Sequence, residues 1–269
     1  MGAMGLSEDS GVITSRANGR VKQLRAAFEG RARLSGGLVA IEGEHLLEEA
    51  LRSGLVFKTI FVAEGRQVPA VVPRGVEVLR LSDEVFASVV DTQSPQGVAG
   101  LLVPPVREME DLMRSTAPLI LIAAGLQDPG NLGTLVRSAE AFGAAGVLTT
   151  AGTVSAWNQK ALRASAGSVF RVPVVISPVE EIARLKLRGV RLLAAVGQGG
   201  GLKNGEFVGA CAVMIGNEGA GLSAEWLAIA DARVTIPYPG PVESLNAAVA
   251  GSLLLYEASR QRAASERRE

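Results

Sequence analysis

The sequence predicts an α/β protein whose larger, C-terminal part is built on a parallel sheet with both faces covered. Three observations predict it. From Pro118 onward, short continuous apolar runs alternate with helical patterns, as buried parallel strands and their crossover helices do. Glycine is frequent, at 32 residues, while aromatic residues make up 4%, a composition suited to many tight turns rather than to an all-β sandwich. The proline-bounded stretch Pro104 to Pro118 separates this regular part from a shorter, less regular one. A chain of 269 residues is long enough for one large domain or two modest ones.

The shorter part opens with a basic run. Arg16, Arg20, Lys22, Arg25, Arg31 and Arg33 stand against a single Glu29, on an expected helix. Such a run is either a solvated face or a phosphate-binding one. Val39-Ala40-Ile41 reads as a strand and Glu44 to Arg52 as an amphipathic helix. Thr59 to Val62 and Val76 to Leu81 read as strands. Ser82-Asp83-Glu84 opens a helix, and Val98 to Val103 closes the part as a final strand. A short helix at Met109 to Arg114 is expected in the linker. Beyond it, strands are expected at Leu119–Ala123, Gly146–Leu148, Val172–Val175, Arg191–Val196, Ala212–Ile215 and Arg233–Ile236. Helices are expected at Leu132–Phe142, Asn158–Ala164, Val179–Leu187, Ser223–Ala230 and Ser244–Gln261. The resulting division is 13–104, a linker at 105–117, and 118–269.

Composition narrows the chemistry. The net charge is zero, so any basic surface must be local. One such bias falls between Ala141 and Val179, which holds Lys160, Arg163 and Arg171 but no acid, as a surface facing a polyanion would. The single cysteine, Cys211, excludes a disulfide within the chain and suits a reducing compartment, so the cytoplasm is expected. One cysteine and one histidine, His45, cannot build an ordinary zinc site or a Cys–His dyad, and no metal is expected. No apolar run reaches the roughly 20 residues that span a bilayer, and no signal peptide is expected. The opening Met1-Gly2-Ala3-Met4-Gly5 reads as an added leader ahead of a native Met4.

Three segments carry the chemistry. Gln127-Asp128-Pro129-Gly130-Asn131-Leu132-Gly133-Thr134-Leu135-Val136-Arg137 follows a strand and opens a helix, with Asn131 a candidate cap. Arg137, among Leu135, Val136 and Ala139, is expected to be buried and paired, in a structural or a functional bridge. Ile215-Gly216-Asn217-Glu218-Gly219-Ala220-Gly221 follows another strand. Its glycines allow close backbone approach to a ligand, and Glu218 is either a ligand-facing acid or a solvated turn residue. Ile236-Pro237-Tyr238-Pro239-Gly240-Pro241-Val242-Glu243-Ser244-Leu245-Asn246 is stiff and leads into a small-residue helix. Capping that helix needs one of Ser244 and Asn246, not both.

Taken in order, Asn131-x-Gly133-x-x-x-Arg137, Gly216-Asn217-Glu218-Gly219-x-Gly221 and Ile236-Pro237 with Glu243-Ser244-Leu245-Asn246 resemble the three motifs of the SpoU (TrmH) family of RNA 2′-O-ribose methyltransferases, in the SPOUT superfamily. The first part resembles the substrate-binding domain, similar to ribosomal protein L30e, that often precedes that catalytic domain. The resemblance implies an α/β SPOUT domain with a deep trefoil knot, preceded by a small L30e-like α/β domain, and a homodimer formed through the catalytic part. It implies S-adenosylmethionine as methyl donor, held by Gly197, Gly216, Asn217, Ile236, Pro237 and Leu245. Asn131, Arg137, Glu218, Ser244 and Asn246 become the catalytic set. Arg16, Arg20, Lys22, Arg25, Lys160, Arg163 and Arg171 become the expected RNA contacts, with ribosomal RNA favoured over transfer RNA. A guanidinium stays protonated, so Arg137 is expected to stabilise the developing alkoxide rather than to act as a base, with Glu218 orienting it through a bidentate pair.

Two other classes compete. The run Gly197-Gln198-Gly199-Gly200-Gly201 hints at a nucleotide-binding Rossmann enzyme, but it does not fit Gly-x-Gly-x-x-Gly and no helix clearly follows. A non-catalytic RNA-binding protein could keep the same fold, and occupancy of all five polar motif positions argues against it.

Overall fold

The computed structural model describes residues 11–31, 36–90, 92, 94–198, 201–203 and 205–267. The expected leader, Arg33 of the basic run, and Gly199 and Gly200 lie outside the described residues. The chain divides into two compact units, Met1–Val106 and Arg107–Glu269.

The first unit holds α1 (Gly19–Phe28), β1 (Val39–Glu42), α2 (Glu44–Arg52), β2 (Phe57–Ala63), β3 (Glu77–Leu81), α3 (Asp83–Ala87) and β4 (Val98–Leu102). Its four-stranded sheet runs β1-β4-β2-β3, with β4 antiparallel to both neighbours and β2 parallel to β3. Asn18 caps α1 by accepting from the Arg20 N–H at 2.8 Å. Val21, Leu24 and Ala27 recur at three-residue spacing and pack with Phe61, Phe86 and Leu101 in one core, which turns Arg20 and Lys22 outward. The basic helix is thus ten residues long and ends at Phe28, before Gly30 in the left-handed region.

The second unit holds α4 (Met109–Leu112), β5 (Leu119–Ala123), α5 (Pro129–Ala141), β6 (Gly146–Thr149), α6 (Gln159–Ser165), β7 (Val174–Ile176), α7 (Val179–Ala183), β8 (Arg191–Ala195), β9 (Cys211–Ile215), α8 (Ala224–Ile229), β10 (Ala232–Val234) and α9 (Ala247–Glu266). The six-stranded sheet runs β10-β8-β9-β5-β6-β7, and every pairing is parallel. Residues of β5 and β9 are buried throughout, because both sheet faces are covered. Alternate positions Ile120, Ile122, Ala212, Met214, Leu192 and Ala194 meet Leu112 of α4, Ile182 of α7 and Trp226 of α8. The intervening positions face the layer of α5 and α9.

Two glycines let helices of that layer approach. A Cβ at Gly133 would overlap the Ala161 carbonyl of α6, and one at Gly251 would overlap Leu135 of α5. At the far end of α9, Arg262 turns its guanidinium inward. It donates to the carbonyls of Ala117 at 2.6 Å, of Phe207 at 3.0 Å and of Gly209, fastening the helix to the entries of β5 and β9. Beside it Gln261 accepts the Phe207 N–H at 3.2 Å. Cys211 is fully buried, and burial pushes its thiol pKa up, away from reactivity. Among the described residues no helix is long and apolar enough to cross a membrane.

Several ends differ from expectation. Helix α5 begins at Pro129 rather than Leu132, because Asp128 is its cap: Asp128 Oδ1 accepts the Asn131 N–H at 2.8 Å, and Pro129, lacking an N–H, suits the first turn. Helix α9 begins at Ala247, with Asn246 as its cap. The expected helix at 179–187 is α-helical only to Ala183 and continues as a 3-10 helix over Arg184–Arg188.

Candidate active site

Parallel strands put their carboxyl ends on one side of the sheet, where open α/β sheets bind ligands. There the loops after β5, β8, β9 and β10 converge. The last three, with the first two turns of α9, wall a cavity of about 320 Å³, within the size range of small-molecule sites. Gly197, Gly216, Asn217, Glu218, Ile236, Ser244 and Leu245 line it, together with Tyr238 and Ala247. Of the six residues expected to hold a donor, Pro237 alone is not part of the wall.

The turn after β9 is built for close approach. Asn217 and Gly221 exchange backbone hydrogen bonds at 3.1 and 2.9 Å, and a Cβ at Gly216 would overlap the Gly221 and Leu222 backbone. Asn217 organises this turn: its Oδ1 accepts from the Gly219 and Ala220 N–H groups, and its Nδ2 donates to the Gly125 carbonyl at 3.0 Å. Sequence reasoning leaves Asn217 without this structural role, although an Asn before Gly-x-Gly is a recognisable turn former.

Glu218 stands at the cavity edge and ties two motifs together. Its Oε1 accepts from Asn131 Nδ2 at 3.0 Å and from the Asp128 N–H at 3.2 Å, while Oε2 accepts from the Gln127 N–H at 3.3 Å. Partial burial alone would raise its pKa. The Asn131 amide and the backbone N–H groups outweigh that and hold the carboxyl below the usual carboxylate value. The third motif joins through Asn246, whose Nδ2 donates to Asn131 Oδ1 at 3.1 Å while its Oδ1 caps α9. Capping α5 falls to Asp128, and this leaves both ends of the Asn131 amide available for the two contacts. Asp128 also receives Lys160 Nζ at 2.6 Å, and that ammonium, first among the causes, lowers its pKa.

Two expectations require correction. Arg137 is exposed, and Glu218 does not pair with it. Leu132, Leu135, Val136 and Ala139 form the buried stripe of α5, and position 137 falls off that stripe. Arg137 also lies outside the cavity wall. The acid-free stretch is not acid-free in space: Lys160 pairs with Asp128, and Arg171 grips both carboxylate oxygens of Glu140. Arg163 is exposed on the same helix as Lys160.

In the first unit, Arg16 pairs with Glu84 at 2.9 Å and Arg20 with Glu77 at 3.0 Å, and Arg31 pairs with Glu29. Lys22 is exposed, and Arg25 is half-buried with its Nη2 3.5 Å from Ser88 Oγ. Arg20, Lys22, Arg25, Glu29 and Arg31 line a shallow depression along α1, and Arg16 does not.

Comparison with known proteins gives two matches to family models. Residues 118–256 match the SpoU rRNA Methylase family and residues 18–100 the MRM3-like substrate binding domain. The chain is 35% identical over 249 residues to the 23S rRNA (guanosine(2553)-2′-O)-methyltransferase RlmP of Bacillus subtilis, covering 91% of this chain and 97% of that one. It is 31% identical to the mitochondrial rRNA methyltransferase 3 of Mus musculus, covering 84% of this chain and 68% of that one. Among solved structures, the AdoMet-bound rRNA methyltransferase from Sinorhizobium meliloti superposes with a TM-score of 0.82 at 30% identity, covering 93% of this chain and 97% of that one. The SpoU methyltransferase AviRb of Streptomyces viridochromogenes, in complex with AdoMet, gives 0.81 at 26% identity, covering 91% and 98%.

Proposed function

The chain belongs to the SpoU rRNA methylase family, and from that premise we propose that it transfers a methyl group from S-adenosylmethionine to a ribose 2′-hydroxyl of structured RNA, with large-subunit ribosomal RNA as substrate. The observation that carries the reading is the cavity at the carboxyl ends of β8, β9 and β10, with the Glu218–Asn131–Asn246 chain of hydrogen bonds at its edge. The fit is supported by Gly216, where the backbone leaves no space for a side chain, so that the wall presents peptide groups to a ligand.

The bound donor supplies an already activated methyl on a sulfonium. The work left to the protein is to hold a 2′-hydroxyl in line with it and to stabilise charge on that oxygen. In this reading Ser244, Asn131 and Asn246 orient the ribose, and ionised Glu218 keeps the Asn131 amide fixed. Arg137 stabilises the forming alkoxide, and an RNA phosphate or solvent takes the proton. Because Arg137 is exposed and outside its own cavity, the reading includes a homodimer in which it serves the site between two copies. The supporting feature is a stripe on α9, where Val249, Leu253 and Tyr256 are 48%, 43% and 52% exposed at spacings of four and three residues. The stripe runs beside α5, which meets α9 through Ser138–Ser252 and Phe142–Tyr256. Residues 13–104 hold RNA through the basic helix of the first unit and 118–269 carry catalysis; 105–117 lies between them, with its helix α4 packed in the core of the second unit, and the C-terminal part is threaded as the trefoil knot expected of the family. The cytoplasm is the proposed location.

The test combines calorimetric titration with S-adenosylmethionine and mapping of 2′-O-methyl groups by primer extension on ribosomal and transfer RNA. Donor binding with a new stop in large-subunit RNA is expected. A stop only in transfer RNA changes the substrate, and absence of donor binding returns the chain to a non-catalytic RNA-binding role.

A further inference from the structure

The wall of the cavity contributed by residues 235–245 has little to hold it. Pro237, Pro239 and Pro241 remove three backbone donors, and the strand pairing of β10 with β8 ends at Val234. Among the described residues, this segment makes a single hydrogen bond, from the Tyr238 hydroxyl to the Glu243 carbonyl at 3.1 Å. The bond closes the segment on itself, bringing its second half back over the end of β8. A Cβ at Gly197 would lie 3.8 Å from that same Glu243 carbonyl. The next two residues, Ser244 and Leu245, line the cavity, and so does Tyr238.

We propose that Tyr238 is a positioning residue for the methyl donor: its hydroxyl tethers Glu243 and thereby holds Ser244 and Leu245 against the cavity. The proposal rests on the donor-binding reading of this cavity. The proline stiffness limits what each peptide can do, and the tether selects the one arrangement that forms a wall. Without it, donor binding must itself order the segment, and the affinity falls by that cost. The ring acts separately, by filling the wall.

The experiment compares the full-length protein with Tyr238→Phe and Tyr238→Leu, by calorimetric titration with S-adenosylmethionine and by steady-state methyl transfer. Tyr238→Phe is expected to raise the donor Kd and the donor KM by roughly three- to tenfold, the size of one net hydrogen bond. Its kcat at saturating donor should stay within about twofold, since uniform binding is what is lost. Its melting temperature without donor should match the wild type, because the tether lies outside the core. Tyr238→Leu should raise Kd further. A Tyr238→Phe protein that binds donor as the wild type does overturns the tether, as does one whose kcat falls with KM unchanged or whose melting temperature drops. Wild-type protein that binds no donor overturns the underlying reading, and the tether with it.

Discussion

Asn131 donates its side-chain amide to Glu218 at 3.0 Å, joining loops 87 residues apart in sequence. The same amide accepts from Asn246 at 3.1 Å, so one small side chain ties together the loops after β5, β9 and β10. An amide can donate to the acid and accept from the neighbouring amide at once, which a carboxylate cannot.

Asn131→Asp keeps the shape and the acceptor but sets a carboxylate against Glu218. It is expected to lose more activity than Asn131→Ala, because like charges at this distance oppose each other while an alanine merely leaves the partners to water. The double variant Asn131→Asp with Glu218→Gln restores a donor–acceptor pair and should recover roughly tenfold in methyl transfer over the single Asp variant. A double variant no better than the single one would show that the contact does not shape the site.

Glu218 has a folded-state pKa below its ordinary value. Its stabilising contribution is therefore complete above the ordinary carboxylate range and is lost as pH falls through the lowered value. Through neutral pH it does not titrate. Glu218→Gln should lower kcat while leaving the position of any ionisation seen in the rate profile between about pH 6 and 9 unmoved. Disappearance of that ionisation in the variant would make Glu218 the titrating group and reverse the assignment.

The ion pairs of the first unit sort its basic residues. Arg16 and Arg20 already answer Glu84 and Glu77, whereas Lys22 is exposed and Arg25 meets only the Ser88 hydroxyl among the described residues. Replacing Lys22 and Arg25 by Ala should reduce the slope of log affinity for RNA against log salt by about one to two units. Replacing Arg16 and Arg20 should change it less. Equal effects of the two pairs would mean that the intramolecular ion pairs open on binding, and donor affinity should be unaffected throughout.

Leu253→Asp places a charge in the exposed stripe of α9 without touching the cavity wall. Light scattering at micromolar concentration should find the wild type dimeric and the variant monomeric, with methyl transfer reduced and donor binding retained. A variant that remains dimeric would move the interface elsewhere.

Much of this architecture is legible in the sequence because burial writes itself into composition. The runs Leu119–Ala123 and Cys211–Ile215 are apolar at every position since both faces of the sheet are covered. The loops that follow β5, β9 and β10 announce themselves by glycine, proline and isolated polar residues. Arg137 is instructive in the opposite sense. Its sequence neighbours suggest burial, whereas the helical period of Leu132, Leu135, Val136 and Ala139 sets it on the outer face, so the exposure was available to a stricter reading. Asp128 followed by Pro129 likewise carries the cap signal of α5. The pairs Lys160–Asp128 and Arg171–Glu140 were not available, because each depends on how segments about thirty residues apart pack together rather than on spacing along the chain.

The clamp formed by Arg262 has a consequence for the order in which the molecule is made. Its carbonyl partners, Ala117, Phe207 and Gly209 among them, wait at the entries of the two central strands for a side chain at least 53 residues further along the chain. The cavity waits as well, since its last wall is α9. A nascent chain emerging from the ribosome therefore completes the first unit, basic helix included, well before the second can close. A chain that stops before Arg262 keeps the elements of the first unit while lacking the fastening of α9. The cavity is thus completed by the element made last among those that wall it, so a lesion in α9 reaches the site even where the first unit is intact.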